Sequence, residues 1–205
     1  YPIIKQELFI QNRVNFNSQL KNKAICVINS NDEFPRSGDQ NYPFKQNSDL
    51  FYLTGIDQEH TILLLFPDCP NPLYKEVLFL RQTNEHIAIW EGHKYTKEEA
   101  TTISGIKNIQ WTSNFEQILK TIVYSAEQIF LIDNEHTRNN SQVETQNDRL
   151  NLEIKEKYPL HQIGRLAPLL NLIRMQKESV EIDALQKAID ITEKAFRRIL
   201  KFTKP

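Results

Sequence analysis

Apolar residues at Ile4, Leu8, Phe9, Phe16 and Leu20 fall at helical spacing and predict an opening helix over residues 3–20. The run AICVI, residues 24–28, is short, rich in branched side chains and bounded by polar pairs, which predicts a buried strand. Residues 30–47 follow as a long polar loop carrying Pro35, Gly38 and Pro43, and loops of that length tend to be functional or mobile. Strand patterns then come at residues 50–53, 61–66 and 76–80, separated by short turns, and predict an antiparallel meander. Residues 87–90 predict one more strand, closed by Glu91-Gly92.

Beyond that point the pattern alternates. Helical spacing at 96–103, 114–123 and 142–157 is interleaved with strand patterns at 109–111, 129–132 and 161–163. A meander joined to such alternation implies an α/β fold, a mixed sheet with helices packed on its faces. Residues 180–200 differ in kind. Ile182, Leu185, Ile189, Phe196, Ile199 and Leu200 share one stripe with Ala188 and Ala195, and predict a strongly amphipathic helix. Ser179 is its expected N-cap, acidic residues open it, and Lys194, Arg197, Arg198 and Lys201 load its far end, the sign the helix dipole favours. So apolar a face is expected to pack on the sheet or on another copy of the chain. Little follows the helix, so the chain is read as cut.

At 205 residues the chain holds one domain, or one domain and a piece of another. A net charge of −1 offers no electrostatic footprint for nucleic acid or an anionic membrane. Cys26 and Cys69 are the only cysteines and match no zinc or redox spacing. The start of the chain has no signal-peptide pattern, and the longest apolar run, residues 62–66, is too short to span a bilayer. The expectation is a soluble, cytoplasmic protein.

Candidate chemistry is sparse. His60, His86, His93, His136 and His161 form neither HExxH nor any i, i+4 pair. The best local group, Asp133-Asn134-Glu135-His136, sits at a strand end, where it reads as a solvated turn before a ligand set. No nucleophile elbow or Gly-rich phosphate loop is present, and Glu98-Glu99 lies on a polar helix face. No catalytic centre is expected. Trp90 stands out, as either an interface or pocket wall or a half-buried core aromatic.

Three blocks occur together in order: Tyr42-Pro43-Phe44-Lys45-Gln46-Asn47-Ser48-Asp49-Leu50-Phe51-Tyr52-Leu53-Thr54-Gly55, then Ile89-Trp90-x-Gly92, then Leu172-Ile173-Arg174-Met175-x-Lys177-x-x-x-Glu181-Ile182. Taken together the chain resembles the N-terminal domain of aminopeptidase P, the Xaa-Pro aminopeptidase branch of the creatinase and prolidase superfamily. The resemblance implies a three-layer creatinase-like α/β domain over residues 1–175. Residues 176–205 would be the linker and first helix of a "pita-bread" catalytic domain. In the family that second domain holds two divalent ions, usually manganese, on two aspartates, a histidine and two glutamates. None of those motifs occurs here, so the resemblance implies no catalytic residue and no bound cofactor in this chain. It implies a homo-oligomer, dimer or tetramer, in which this domain lies against a neighbour's active-site opening and proline-containing peptides are substrates. Trp90 and, less directly, Asp39 would be substrate-side contacts. Tyr42, Gln46, Asn47, Ser48, Asp49, Tyr52 and Gly55 would form a loop near the cleft or a subunit boundary, with residues 51–53 entering the sheet. Two alternatives stay open: the N-terminal domain of a prolidase, or that of a catalytically inactive, peptidase-like binding protein.

Overall fold

The computed structural model describes residues 4–84, 89, 91–139 and 141–204. Helix α1 (Gln6–Asn17) leads into strand β1 (Ala24–Asn29), which is buried at every position. A small hairpin of β2 (Pro35–Ser37) and β3 (Gln40–Asn41) follows, then helix α2 (Ser48–Thr54) and strands β4 (Ile62–Leu65) and β5 (Glu76–Leu80). Next come α3 (Lys97–Ser104), β6 (Asn108–Trp111), α4 (Phe115–Ile122), β7 (Gln128–Leu131), α5 (Gln146–Lys157) and β8 (Gln162–Arg165). The chain closes with α6 (Ala167–Met175) and α7 (Ser179–Phe202). No helix among the described residues is long and apolar enough to cross a membrane.

The main sheet has the order β6-β5-β4-β1-β7-β8. The pairs β1/β7, β7/β8 and β5/β6 are parallel, whereas β4 runs antiparallel to both of its neighbours, with Cys26 opposite Leu65 and Leu63 opposite Leu78. Because side chains alternate across a pleated strand, the strands feed two cores. Ala24, Cys26, Ile28, Leu63, Leu65 and Leu78 meet α1, α2, α3 and α6 through Phe16, Leu53, Ala100 and Leu170. Ile25, Val27, Leu64, Val77 and Phe79 meet α4 and α5 through Leu119, Leu150 and Ile154. The result is three layers, a mixed sheet with helices on both faces, as the alternation predicts. Each fully buried Leu, Ile or Phe stabilises this arrangement by roughly 1.5–3 kcal/mol.

Several expectations need correction. Residues 50–53 are not a strand inserting in the sheet: they form the body of α2, with Leu50, Leu53 and Thr54 buried at helical spacing. Asn47 caps that helix, accepting bonds from the backbone of Asp49 and Leu50, and Gly55 ends it at φ 72°. The antiparallel run is therefore β1-β4-β5. Residues 30–47 are not all loop, since Gly38 at φ 57° lets the β2–β3 hairpin turn. Helix α5 begins at Gln146 because Thr145 and Asp148 form a reciprocal capping box there. Helix α7 is capped by Glu178, in a box with Glu181, and Ser179 is already its first residue. No residue of α7 is buried, so its apolar face does not pack on the sheet. Of the strand expected at 87–90, Ile87, Ala88 and Trp90 lie outside the described residues, and Ile89 and Glu91 are helical.

Candidate functional site

The densest polar network is built on α2. Gln46, buried just ahead of the helix, donates to the carbonyls of Ile56 at 3.1 Å and Gln58 at 2.8 Å. Its own amide oxygen accepts from the backbone of Asn47 at 2.7 Å. One side chain thus ties the two ends of α2 together, and the next supplies the cap. Ser48 is exposed in the first turn. Asp49 pairs with Arg174 of α6, whose guanidinium lies 5.6 Å from the centre of the Tyr52 ring. Burial pushes the Tyr52 phenol up; the carboxylates of Glu181 and Glu178 add to this and Arg174 opposes it.

At the other end of α2, two residues of α1 close the network. Asn12 donates to the Tyr52 carbonyl at 2.8 Å, and Arg13 to the Leu53 carbonyl at 2.8 Å. Arg13 is only 1% exposed; it also donates to the Phe9 carbonyl at 3.2 Å and pairs with Glu76 of β5 at 3.1 Å. Burial lowers its pKa and Glu76 opposes the shift, so the guanidinium stays charged. A Cβ on Gly55 would stand 2.4 Å from the Phe9 ring. Sequence reasoning missed Asn12 and Arg13. Their only signal is position: they share the buried stripe of Phe9 and Phe16. Gln46, Asn47, Asp49, Tyr52 and Gly55 are thus brought together. Asp39 is not among them: it is exposed at the hairpin turn, and exposed Tyr42 lies against Arg36, 5.9 Å from guanidinium carbon to ring centre. Trp90 lies outside the described residues.

A second feature is an open cleft of about 450 Å³ at the end of the sheet where β1, β5 and β6 stop and β4 begins, lined by Asn29, Ser30, Glu33, His60, Arg81 and Thr112 among others. Nearby, Glu59 accepts from Lys94 at 2.5 Å and lies 3.4 Å from Arg81, which also reaches Glu91 at 2.6 Å. Burial alone would raise the Glu59 pKa, but the Lys94 bond and the two cations together hold it below the usual carboxylate value. Among the described residues no three His, Cys, Asp or Glu side chains are grouped to hold a metal. The Asp133–His136 segment is a turn in which Glu135 pairs with Arg165 and His136 Nδ1 accepts from the Arg138 backbone at 3.1 Å. Burial holds the Cys26 thiol well above its ordinary value, so it is no nucleophile.

A third feature is the bare face of α7. Ile182, Leu185, Ile189 and Phe196 are each more than half exposed, and Leu185, Ala188, Ile189 and Phe196 line a shallow apolar trough.

Three comparisons bear on this geometry. The sequence model of the family described as "Aminopeptidase P, N-terminal domain" matches residues 9–130. The Xaa-Pro aminopeptidase of Haemophilus influenzae is 23% identical over 202 residues, 98% of this chain and 44% of its own length. That of Escherichia coli is 24% identical over 204 residues, again 98% of this chain and 46% of its own. Among solved structures, a candidate aminopeptidase P from Bacillus anthracis superposes with a TM-score of 0.87 at 26% identity, over 97% of this chain and 47% of the other. Aminopeptidase P from E. coli with the inhibitor Pro-Leu gives 0.78 at 24% identity, over 98% and 46%. The chain spans less than half the length of these relatives. With the family model covering more than half of the chain and the fold shared end to end, the chain belongs to the aminopeptidase P N-terminal domain family.

Proposed function

We propose that this chain is the non-catalytic N-terminal domain of a Xaa-Pro aminopeptidase, acting in the cytoplasm on proline-containing peptides through a second domain that follows it. Residues 1–175 form the domain proper. Residues 176–205 are its link and the first helix of the catalytic domain, which would hold two divalent ions, manganese by preference, and these would supply Lewis-acid and water-activating chemistry there. The observation that carries this reading is the bare apolar face of α7, in a chain that spans less than half of relatives named Xaa-Pro aminopeptidase. A face of that kind marks a surface on which another unit docks. Gln176 and Glu178 are both extended, which suits a joint between two domains. On this reading the domain assists oligomer assembly and limits access to a neighbour's active site, with Trp90 and Asp39 on the substrate side.

The test is hydrolysis of an Xaa-Pro-Xaa tripeptide with added Mn²⁺, comparing the 205-residue chain with a product of the same gene extended through the next domain. Activity in the longer protein alone is the expected result. Activity in the short chain would overturn the non-catalytic assignment, and silence in both would favour an inactive, binding-only relative.

A further inference from the structure

Helix α7 is 24 residues long and has no buried residue, so its direction is set where it is rooted. The root is well defined. Lys177 Nζ donates to the carbonyls of Arg174 and Met175, closing the end of α6, and the Glu178–Glu181 box opens α7 within the same few residues. Both sides of that joint face α2. Arg174, on the α6 side, pairs with Asp49 and lies against the Tyr52 ring. Glu178 and Glu181, on the α7 side, are near enough to act on the Tyr52 phenol. Helix α2 is itself held from below by Asn12 and Arg13. A continuous chain of contacts therefore runs from the sheet domain through α1 and α2 to the joint.

We propose that Asp49, Tyr52 and Arg174 form a latch that sets the angle at which α7 leaves the sheet domain. On the reading above, that α7 enters the catalytic domain, they are positioning residues for that domain. The leverage is geometric. At 1.5 Å per residue α7 is about 36 Å long, so a swing of about 15° at the root moves its far end by about 9 Å. Active-site geometry is sensitive to displacements near 1 Å. A partly exposed ion pair that contributes little to global stability can therefore have a large effect on orientation.

The experiment places nitroxide labels at Lys155→Cys on α5 and Lys194→Cys on α7, with the native Cys26 and Cys69 both buried, and reads the distance distribution by pulsed electron resonance. A single narrow distribution is expected for the unaltered latch. Asp49→Asn and Arg174→Met should widen it at least about twofold while the melting temperature moves little. The exchanged pair Asp49→Arg with Arg174→Asp should recover much of the narrowing, which a general loosening of the fold would not do. If Arg174→Met fails to fold, Asp49→Asn, which keeps the volume, decides the matter. A broad distribution in the unaltered chain, or unchanged widths in the variants, would overturn the latch. In the extended protein, Asp49→Asn should cut kcat on the tripeptide about fivefold or more with KM nearly unchanged. If the extended protein has no activity at all, the functional reading fails while the distance measurement still judges the latch.

Discussion

Replacing Arg13 with methionine tests whether the buried guanidinium is what secures the end of α2. Methionine fills most of the arginine stem, so the cavity is small and the loss is mainly polar. The Phe9 carbonyl lies within α1, where the amide four residues on already serves it, and losing its second donor costs little. The Leu53 carbonyl is in the last turn of α2 and has no intrahelical partner, so it is left buried and unpaired at a cost of about 1–3 kcal/mol. Glu76 is about one-third exposed and falls back on water, adding about 0.5–1 kcal/mol. The sum is about 1.5–4 kcal/mol, a large share of the 5–15 kcal/mol typical of a folded domain. With a urea slope of about 2–3 kcal/mol/M, the midpoint should fall by about 1 M. Arg13→Lys keeps the charge but not the fork, and should lose about half as much. Adding Glu76→Leu to Arg13→Met removes the stranded carboxylate yet leaves Leu53 unpaired, so the double variant should stay at least about 1 kcal/mol below wild type. A midpoint within about 0.2 M of wild type for Arg13→Met would refute the argument. The carbonyl would then be finding water, and the helix end would not depend on Arg13.

Gly55→Ala combines a left-handed backbone position with a Cβ that would clash with Phe9, and should cost about 2–5 kcal/mol by the same urea assay; a loss under about 1 kcal/mol would mean that Phe9 gives way freely. Glu59 has a pKa held below its unfolded value, so its stabilisation is present above that unfolded value and is lost as pH falls through the folded one. Stability should therefore drop as pH falls through and below the ordinary carboxylate range, and Glu59→Gln should flatten that slope; equal slopes in both proteins would assign the acid limb to other groups.

The sheet was largely legible and α2 was not, for physical reasons. The AICVIN run that becomes β1 is apolar on both faces because both cores need it, and its length admits a strand without ambiguity. Leu50 to Leu53 is also short and apolar, and over four residues a helical and an extended period cannot be told apart. What decides it lies outside the run, in the Asn47 cap and the Gly55 terminus. The α6 sequence APLLNLIRM went unread as a helix, although proline at the second position is a common helix start. Arg13 was invisible for a different reason. A charged residue on an apolar stripe looks like a solvated edge until the fold brings Leu53 and Glu76 to it. Asp49 and Arg174, 125 positions apart, likewise meet only through the tertiary structure.

The brevity of α2 also bears on how the molecule assembles. Seven residues are too few for a helix to persist in water, since nucleation fixes several dihedrals before any hydrogen bond repays it. Its final carbonyls are met by α1 and its entry by Gln46, so Ser48–Thr54 should become helical only when α1 is docked on the sheet. Amide hydrogens of residues 50–55 should then exchange together with those of α1, as one opening unit, and α2 is best regarded as a late-ordering part of the fold whose existence reports that the N-terminal helix has already found its place.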